Sequence, residues 1–334
     1  MTLTAPVVTV VIPTYQRLPQ LRGTLAGLAE QTGFDDEIEV IVVSDGSTDG
    51  TDEYLSSSAV PLPVVALAQR NAGPAAARNR GVAAARGELV LFVDDDVVPT
   101  PDLVAAHLRR HEHPSDDLVV IGPMITPPSV EMSPWVRWEQ AMLEKQYDAM
   151  SNGEYEVTPR QFYTGNASVA RRHVEAVGGF DTSFRRAEDV ELAYRLAAHG
   201  LRFAFDREAV VHHYAERSFE SWLDNAYAYG RNDVIFARDR GQRWLLGAIS
   251  REFQDRNVMV RRLTRICVPR PRLGAVVTSA LSGVARAASW ARVGLVADPA
   301  LSGVYNLAYY RGMAAELGDA DRLITLLDTA GEVP

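Results

Sequence analysis

The segment from Gly87 to Pro99 reads Gly-Glu-Leu-Val-Leu-Phe-Val-Asp-Asp-Asp-Val-Val-Pro, and it constrains the fold more than any other stretch. Leu89 to Val93 is an uninterrupted apolar run of strand length, without the alternation of a strand that has one wet face. Such a run suits a mostly parallel sheet covered on both faces by helices. It ends abruptly in Asp94, Asp95 and Asp96, with no basic residue between them. Like charges this close repel, so a folded chain either neutralises them with a cation or leaves them in water as an acidic turn. Mg²⁺ or Mn²⁺, hard cations with a preference for oxygen ligands, are the expected neutralisers, and either brings phosphate oxygens with it.

The residues before this segment repeat the alternation of strand and helix. Val7 to Pro13 reads as a buried strand, closed by a proline that has no N–H for a ladder. Leu18, Leu21, Leu25 and Leu28 then recur at helical spacing up to Gly33. Glu39 to Val43 is a second strand, and Ser44-Asp45-Gly46-Ser47-Thr48-Asp49-Gly50-Thr51 is turn chemistry followed by helix caps. A helix to about Ser56, a strand at Val64 to Ala68, Asn71-Ala-Gly73-Pro and an alanine-rich helix to Arg86 complete the run. This β-α-β-α-β-α-β order with short connections predicts an α/β fold, a doubly wound and mostly parallel sheet flanked by helices. Ligands of such sheets sit outside the carboxyl ends of the strands. Thr14 and Tyr15, Asp45, Asn71, and Asp94 to Asp96 all fall there.

Composition removes several classes of function. A net charge of −9 over 334 residues argues against a nucleic-acid binder, which needs a basic face. The single cysteine, Cys267, excludes an internal disulfide and any cysteine-based zinc site, and a buried thiol is its expected state. No Gly-x-Gly-x-x-Gly follows the first strand and no Gly-x-x-x-x-Gly-Lys-Ser/Thr occurs, which sets aside dinucleotide dehydrogenases and phosphate-loop ATPases. The opening Met-Thr-Leu-Thr-Ala-Pro lacks the character of a signal peptide. The longest apolar stretch, Leu273 to Ala297, is interrupted by Arg286 and Arg292, so no transmembrane span is expected. The expectation is a cytoplasmic protein.

Val-Ile-Pro-Thr-Tyr at 11–15, Ser-Asp-Gly-Ser-Thr-Asp at 44–49, Ala-Ala-Arg-Asn at 76–79 and Phe-Val-Asp-Asp-Asp at 92–96 resemble the family 2 glycosyltransferases of GT-A fold. The resemblance runs motif by motif through the first hundred residues and more sparsely to about residue 220. It implies a nucleotide-sugar site in which Asp45 pairs with the base and Pro13, Thr14 and Tyr15 line the nucleoside pocket. Arg17, in the same turn, belongs to that donor side, as do Asn71 and Gly73. Arg78 is placed close to the base or pyrophosphate. Asp94 and Asp96 match the family's Asp-x-Asp pair, one toward ribose and one toward the metal, with Asp95 between them. The plainer alternatives are a turn residue for Asp45 and an exposed helix arginine for Arg78.

Further along, Met124 to Arg160 changes character. Trp135 and Trp138 sit one helical turn apart, which suits core packing better than stacking on a sugar or lipid. Phe162 to Ser168 resembles the family strand in which an asparagine, here Asn166, approaches the donor sugar. Glu188 and Asp189 open a helix marked by Leu192, Tyr194 and Leu196, where carboxylates favour the helix dipole. The resemblance makes them the family's Glu-Asp motif, with Glu188 on the donor side and Asp189 as catalytic base. An inverting transfer needs such a base to take the acceptor proton. After a strand at Arg202 to Asp206, Val-Val-x-His matches His213 to a residue that reaches the metal, with His212 the other candidate.

These readings divide the chain into 1–218, a glycosyltransferase domain with halves 1–105 and 106–218, and a helical extension at 219–334. Gln242-Arg243-Trp244 is adjacent where processive members have Gln-x-x-Arg-Trp, which favours single addition. Basic Arg251 to Arg272 precedes apolar Leu273 to Val296. A helical cap or homodimer interface is expected there, with contact at the inner face of a membrane the alternative. The expected activity is inverting, metal-dependent transfer of one sugar from a nucleoside-diphosphate sugar, UDP by family frequency, to an unidentified acceptor. A nucleotidyltransferase making nucleotide sugars needs a Gly-rich basic loop where this chain has Pro-Thr-Tyr-Gln-Arg. A non-catalytic nucleotide-sugar-binding protein would not need the full carboxylate set.

Overall fold

The computed structural model describes residues 7–33, 38–111, 117–184, 186–214, 216–291 and 293–329. Met1–Pro6 and Arg292, named above, lie outside them. The chain divides into two units, Met1–Glu131 with Gln140–Ala215, and Met132–Glu139 with Glu216–Pro334.

The first unit opens with β1 (Val8–Thr14), α1 (Leu18–Ala29), β2 (Ile38–Ser44), α2 (Thr51–Leu55), β3 (Val65–Ala68), α3 (Pro74–Ala84) and β4 (Leu89–Val93). It continues with β5 (Val97–Pro99), α4 (Leu103–Arg110), β6 (Leu118–Ile121), β7 (Met124–Ile125) and α5 (Pro134–Ser151), whose first residues belong to the second unit. A 3-10 turn at Pro159–Gln161, β8 (Asn166–Ala170), α6 (Arg171–Ala176), α7 (Glu188–Ala198), β9 (Arg202–Phe205) and β10 (Val211–His213) complete it. Seven strands pair in the order β3-β2-β1-β4-β8-β6-β9. All run parallel except β8, which is antiparallel to both β4 and β6.

Period-two alternation sends strand side chains into two separate cores. Val11, Val43, Val90 and Phe92 pack with residues of α3, α6 and α7, while Val10, Ile12, Val40 and Leu91 pack with Leu21, Leu25 and Leu28 of α1 and with α4. Both faces are therefore dry, as the apolar run at 89–93 demands. A second, three-stranded sheet has the order β5-β10-β7. The sequence reading gave no strand at β5 and no ladder to β10.

Pro13 does not end β1, contrary to the sequence expectation. Pairing with β2 runs on to Thr14, whereas pairing with β4 stops at Val11 opposite Phe92. The Thr14 carbonyl accepts from Asp45 N–H at 2.9 Å, so by strand alternation the N–H that Pro13 lacks would have faced β4. The proline thus frees the end of β4 from β1 just before the three aspartates.

The second unit consists of α8 (Phe219–Asp239), α9 (Trp244–Asp255), α10 (Val258–Cys267), α11 (Pro271–Trp290), α12 (Gly294–Leu317) and α13 (Ala320–Asp328), together with the start of α5. Trp135 and Trp138 are packing residues there. Trp135 lies 5.3 Å from Phe219, and Trp138 lies 5.7 Å from Trp222 and 5.5 Å from Tyr305. Cys267 is buried.

Helices α8 and α12 approach backbone to backbone at two glycines. A Cβ on Gly230 would stand 2.0 Å from the Tyr309 carbonyl oxygen, and one on Gly312 would stand 2.0 Å from that of Tyr227. No flexible side chain can yield at either place. Gly230→Ala and Gly312→Ala are each expected to lower stability by about 1–3 kcal/mol, as overpacking does, measured by chemical denaturation. Gly247→Ala, where only an arginine tip lies nearby, is the matched control.

Candidate active site

The candidate residues converge because β1, β2 and β4 run parallel and end on one edge. At the end of β2, Asp45 is buried and both of its carboxylate oxygens accept from the chain. Oδ1 accepts from Gln69 Nε2 at 2.7 Å and Ala72 N at 2.9 Å, and Oδ2 accepts from Gly73 N at 2.8 Å. Asp45 therefore holds the Asn71–Gly73 loop in place. Asn71 itself is exposed, and its backbone N lies close against Gly46. Thr14 is buried, Pro13 is half-buried, and Tyr15 is exposed on the same edge.

The three aspartates form the turn between β4 and β5. The Thr24 hydroxyl of α1 lies 3.0 Å from the Asp95 carbonyl and 2.6 Å from that of Val97, which anchors the turn's backbone. Arg17 Nη1 donates to Asp96 Oδ2 at 2.7 Å and to Asp95 Oδ1 at 3.2 Å. Arg78, nearly buried on α3, donates through Nη2 to Asp94 Oδ1 at 2.7 Å and through Nη1 to Glu188 Oε1 at 2.8 Å. One guanidinium thus ties the acidic turn to the start of α7. The exposed-helix alternative for Arg78 does not describe it, and neither does a free contact to a ligand.

Asn79, the next residue, secures the same connection. Its Oδ1 accepts from Phe180 N at 2.7 Å and its Nδ2 donates to Phe180 O at 2.8 Å. Gly179 has φ +73°, and a Cβ there would stand 2.5 Å from Asn79 Oδ1. The Phe180 ring meets Phe92 of β4 edge to face at 5.3 Å. Asn79 is a positioning residue that the sequence reading quoted within a motif without giving it a role.

Among the described non-glycine residues, Gln16 (φ 56°) and Ala187 (φ 60°) alone have positive φ. Each immediately precedes a site residue, Arg17 and Glu188. A non-glycine residue in this region is strained by about 1–2 kcal/mol and persists where surrounding contacts over-determine it. Gln16 is held by Thr48, whose Oγ1 accepts from its Nε2 at 2.8 Å, and by Ser47, whose Oγ accepts from its N–H at 3.1 Å.

Asn166 departs from its sequence role. Its side chain is fully buried, donating to Ala209 O at 2.7 Å and Pro123 O at 3.1 Å, with Oδ1 2.9 Å from His107 Nε2. Because Asn166 Nδ2 is the donor to two carbonyls, its Oδ1 must accept from His107 Nε2–H. His107 Nδ1 then accepts from the Ser168 hydroxyl at 2.8 Å, and Ser168 Oγ lies 2.8 Å from His111 Nε2. Burial pushes the His107 pKa down to about 4, consistent with this neutral form. Asn166 ties β8 to the segments leading into β7 and β10, and its fully buried amide gives both hydrogens to protein carbonyls.

β10 pairs with β5 so that His213 opposes Val97, which brings His213 Nε2 to 3.8 Å from Asp96 Oδ1. The charges of the site are unevenly matched: Asp94, Asp95, Asp96, Glu188 and Asp189 face two guanidiniums. Burial pushes Asp95 up to about 6, with Asp96 and Asp94 adding to it. Burial opposes ionisation of Asp96 as well, but His213 and Arg17 hold it below the usual carboxylate range. Desolvation and then repulsion from Glu188 raise Asp189 well above that range, against the attraction of Arg78.

This set fits a divalent cation. An under-neutralised carboxylate pair, Asp95 and Asp96, already gathers the nearest cationic side chain, and a histidine faces the other oxygen of Asp96. Among the described residues no three His, Cys, Asp or Glu side chains form a ready-made cage. Mg²⁺-type sites that use one or two carboxylates complete their shell with water and substrate phosphates.

Residues 9–174 match the family model described as Glycosyl transferase family 2. Validoxylamine A glucosyltransferase of Streptomyces hygroscopicus subsp. jinggangensis is 34% identical over 232 residues, which cover 61% of this chain and 54% of that protein. The mannosyltransferase PcManGT from Pyrobaculum calidifontis, in complex with GDP-Man and Mn²⁺, shares the fold with a TM-score of 0.63 at 22% identity, covering 94% of this chain and 88% of that one. S. aureus TarS 1–349, in complex with UDP-GlcNAc, gives a TM-score of 0.54 at 18% identity, covering 93% of this chain and 92% of that one. The fold is that of the GT-A class of glycosyltransferases. The chain belongs to glycosyltransferase family 2, and it spans about half the length of the first curated relatives it matches.

Removing the guanidinium of Arg78 leaves Asp94 and Glu188 facing each other without a counter-charge. Arg78→Ala is expected to cost about 3–5 kcal/mol at neutral pH, as breaking a buried pair does, measured by urea denaturation. Arg78→Lys should recover part of the loss, since it restores the charge without the planar fork. An equal loss in Arg78→Lys and Arg78→Ala would show that the charge is not what Arg78 supplies.

Proposed function

We propose that the chain transfers one sugar from a nucleoside-diphosphate sugar, UDP-linked in the first instance, to an acceptor hydroxyl with inversion at the anomeric carbon. The observation that carries this reading is the Arg78 bridge, which joins the acidic turn after β4 to the start of α7 and so sets Asp189 beside the aspartates. The GDP-Man and Mn²⁺ bound to PcManGT, and the UDP-GlcNAc bound to TarS, support the donor class.

In this reading Asp96 and His213 hold the cation, Mg²⁺ or Mn²⁺, which when bound stabilises the charge on the departing diphosphate. Arg17 exchanges its carboxylate partners for the diphosphate, and exposed Tyr15 flanks the nucleoside. Asp45 keeps the Asn71–Gly73 backbone at the edge of that pocket. Asp94 faces the ribose side while its other oxygen stays on Arg78. Asp189 accepts the proton of the acceptor hydroxyl. Its raised pKa suits that task, since a stronger base near neutral pH takes a hydroxyl proton more readily.

Asp189→Asn should lower turnover by about 10²–10⁴-fold while leaving donor binding by calorimetry unchanged. Undiminished turnover would remove Asp189 from the chemistry. The same variant tests the electrostatics. A carboxylate whose folded pKa is raised costs stability increasingly as pH climbs from its unfolded value through the folded one. The variant should therefore melt above the parent at pH 8, with the advantage vanishing toward pH 4. In the parent, turnover should rise with pH through the neutral range.

Arg17 and a divalent cation compete for Asp96. Titration calorimetry without donor should find Mn²⁺ bound more tightly by Arg17→Ala than by the parent, and not bound by Asp96→Ala. Unchanged Mn²⁺ affinity in both variants would place the cation elsewhere. Thermal-shift screening of UDP-, GDP- and dTDP-sugars with Mn²⁺ identifies the donor, and a uniformly negative screen would overturn the donor class.

A further inference from the structure

We propose that the outward face of α11, together with the first turn of α12, seats the second unit on an anionic lipid bilayer. This goes beyond the transferase reading and does not depend on it. Leu273, Val276, Val284 and Trp290 follow helical spacing along α11 and are all exposed, Val276 by 67% and Trp290 by 89%. Ala280 and Ala287 fill the same stripe. At the start of α12 Leu295 is 93% exposed, and Val293 and Val296 are exposed beside it. The stripe from Leu273 to Trp290 is about 25 Å long at the helical rise of 1.5 Å per residue. The opposite side of α11 is already used: Gly274, Ser282 and Ala285 are buried.

Charge decides what covers this face. From Arg256 to Ala297 the sequence holds eight arginines and no aspartate, glutamate or lysine, in a chain whose net charge is −9. Arg265 pairs with Asp328, while Arg262, Arg270, Arg272 and Arg286 make no ion pair among the described residues. A second copy meeting this face across a two-fold axis would set arginines against arginines, with no acidic residue in the segment to relieve them. Anionic headgroups supply that charge, and a bilayer accepts the aliphatic stripe and a tryptophan at its interface. No helix among the described residues is long and apolar enough to cross a membrane, so the contact lies along the surface.

Flotation of the full chain with phosphatidylcholine vesicles, with and without about 30% phosphatidylglycerol at about 0.1 M salt, tests the assignment. Binding is expected on the anionic vesicles alone. Trp290→Ser/Leu295→Ser and Arg262→Glu/Arg272→Glu should each reduce the bound fraction about fivefold or more. All four positions are exposed, so both variants should keep the parent's thermal melt. Brominated lipid should quench tryptophan fluorescence in the parent, and much less in Trp290→Phe. Absent flotation, equal binding to neutral vesicles, or binding untouched by both double variants would overturn the proposal. A concentration-dependent dimer abolished by Trp290→Ser/Leu295→Ser, without flotation, would assign the face to a second copy instead.

Discussion

Arg78 carries the interaction on which the first unit's carboxyl edge depends. Two unit charges about 4 Å apart interact by about 4 kcal/mol at the effective dielectric of a protein surface, and repulsion between like carboxylates is of the same order. Five carboxylates cannot gather on one edge against that repulsion without a fixed positive charge among them. A guanidinium suits the place better than an ammonium because its planar fork reaches Asp94 and Glu188 at once. The adjacent Asn79 pins the Phe180 backbone, so two consecutive side chains of α3 bring a distant part of the sequence to the aspartates.

The polar residues of the site fall into two kinds, separated by exposure. Asp45, Arg78 and Asn166 are buried, bond chiefly to the protein itself and shape the edge. Tyr15 is exposed, Arg17 is half-exposed, and Asp96 is shared between Arg17 and His213. Ligands would engage this second kind. The strained backbone at Gln16 and Ala187 lies next to Arg17 and Glu188, which is where a fold tolerates local cost to aim particular groups.

The second unit is built on a different principle. Its aromatic cluster of Trp135, Trp138, Phe219, Trp222 and Tyr305 supplies apolar bulk. Two glycines let α8 and α12 approach to backbone contact. Ion pairs join α8 to α12, where Arg231 and Arg238 meet Glu316, and α10 to α13, where Arg265 meets Asp328. The other arginines of α10 and α11 make no ion pair among the described residues.

Much of the first unit was legible in the amino-acid order. Buried strands announce themselves as apolar runs, parallel connections are short and one-handed, and the loops at strand ends then share an edge. Leu89 to Val93 followed by three aspartates therefore specified both a covered sheet and a polar rim. What stayed illegible was the direction in which each polar side chain spends its hydrogen bonds. Asn166 looks the same in sequence whether it meets a sugar or two buried carbonyls, and Arg78 whether it stands exposed on its helix or bridges two carboxylates. The same holds for the antiparallel β8, for the short β5–β10 ladder that carries His213 to Asp96, and for the glycines of α8 and α12. Each depends on which distant backbone arrives alongside. Periodicity and turn chemistry are local and survive in the one-dimensional pattern, whereas pairing between remote groups exists only once the chain has closed on itself.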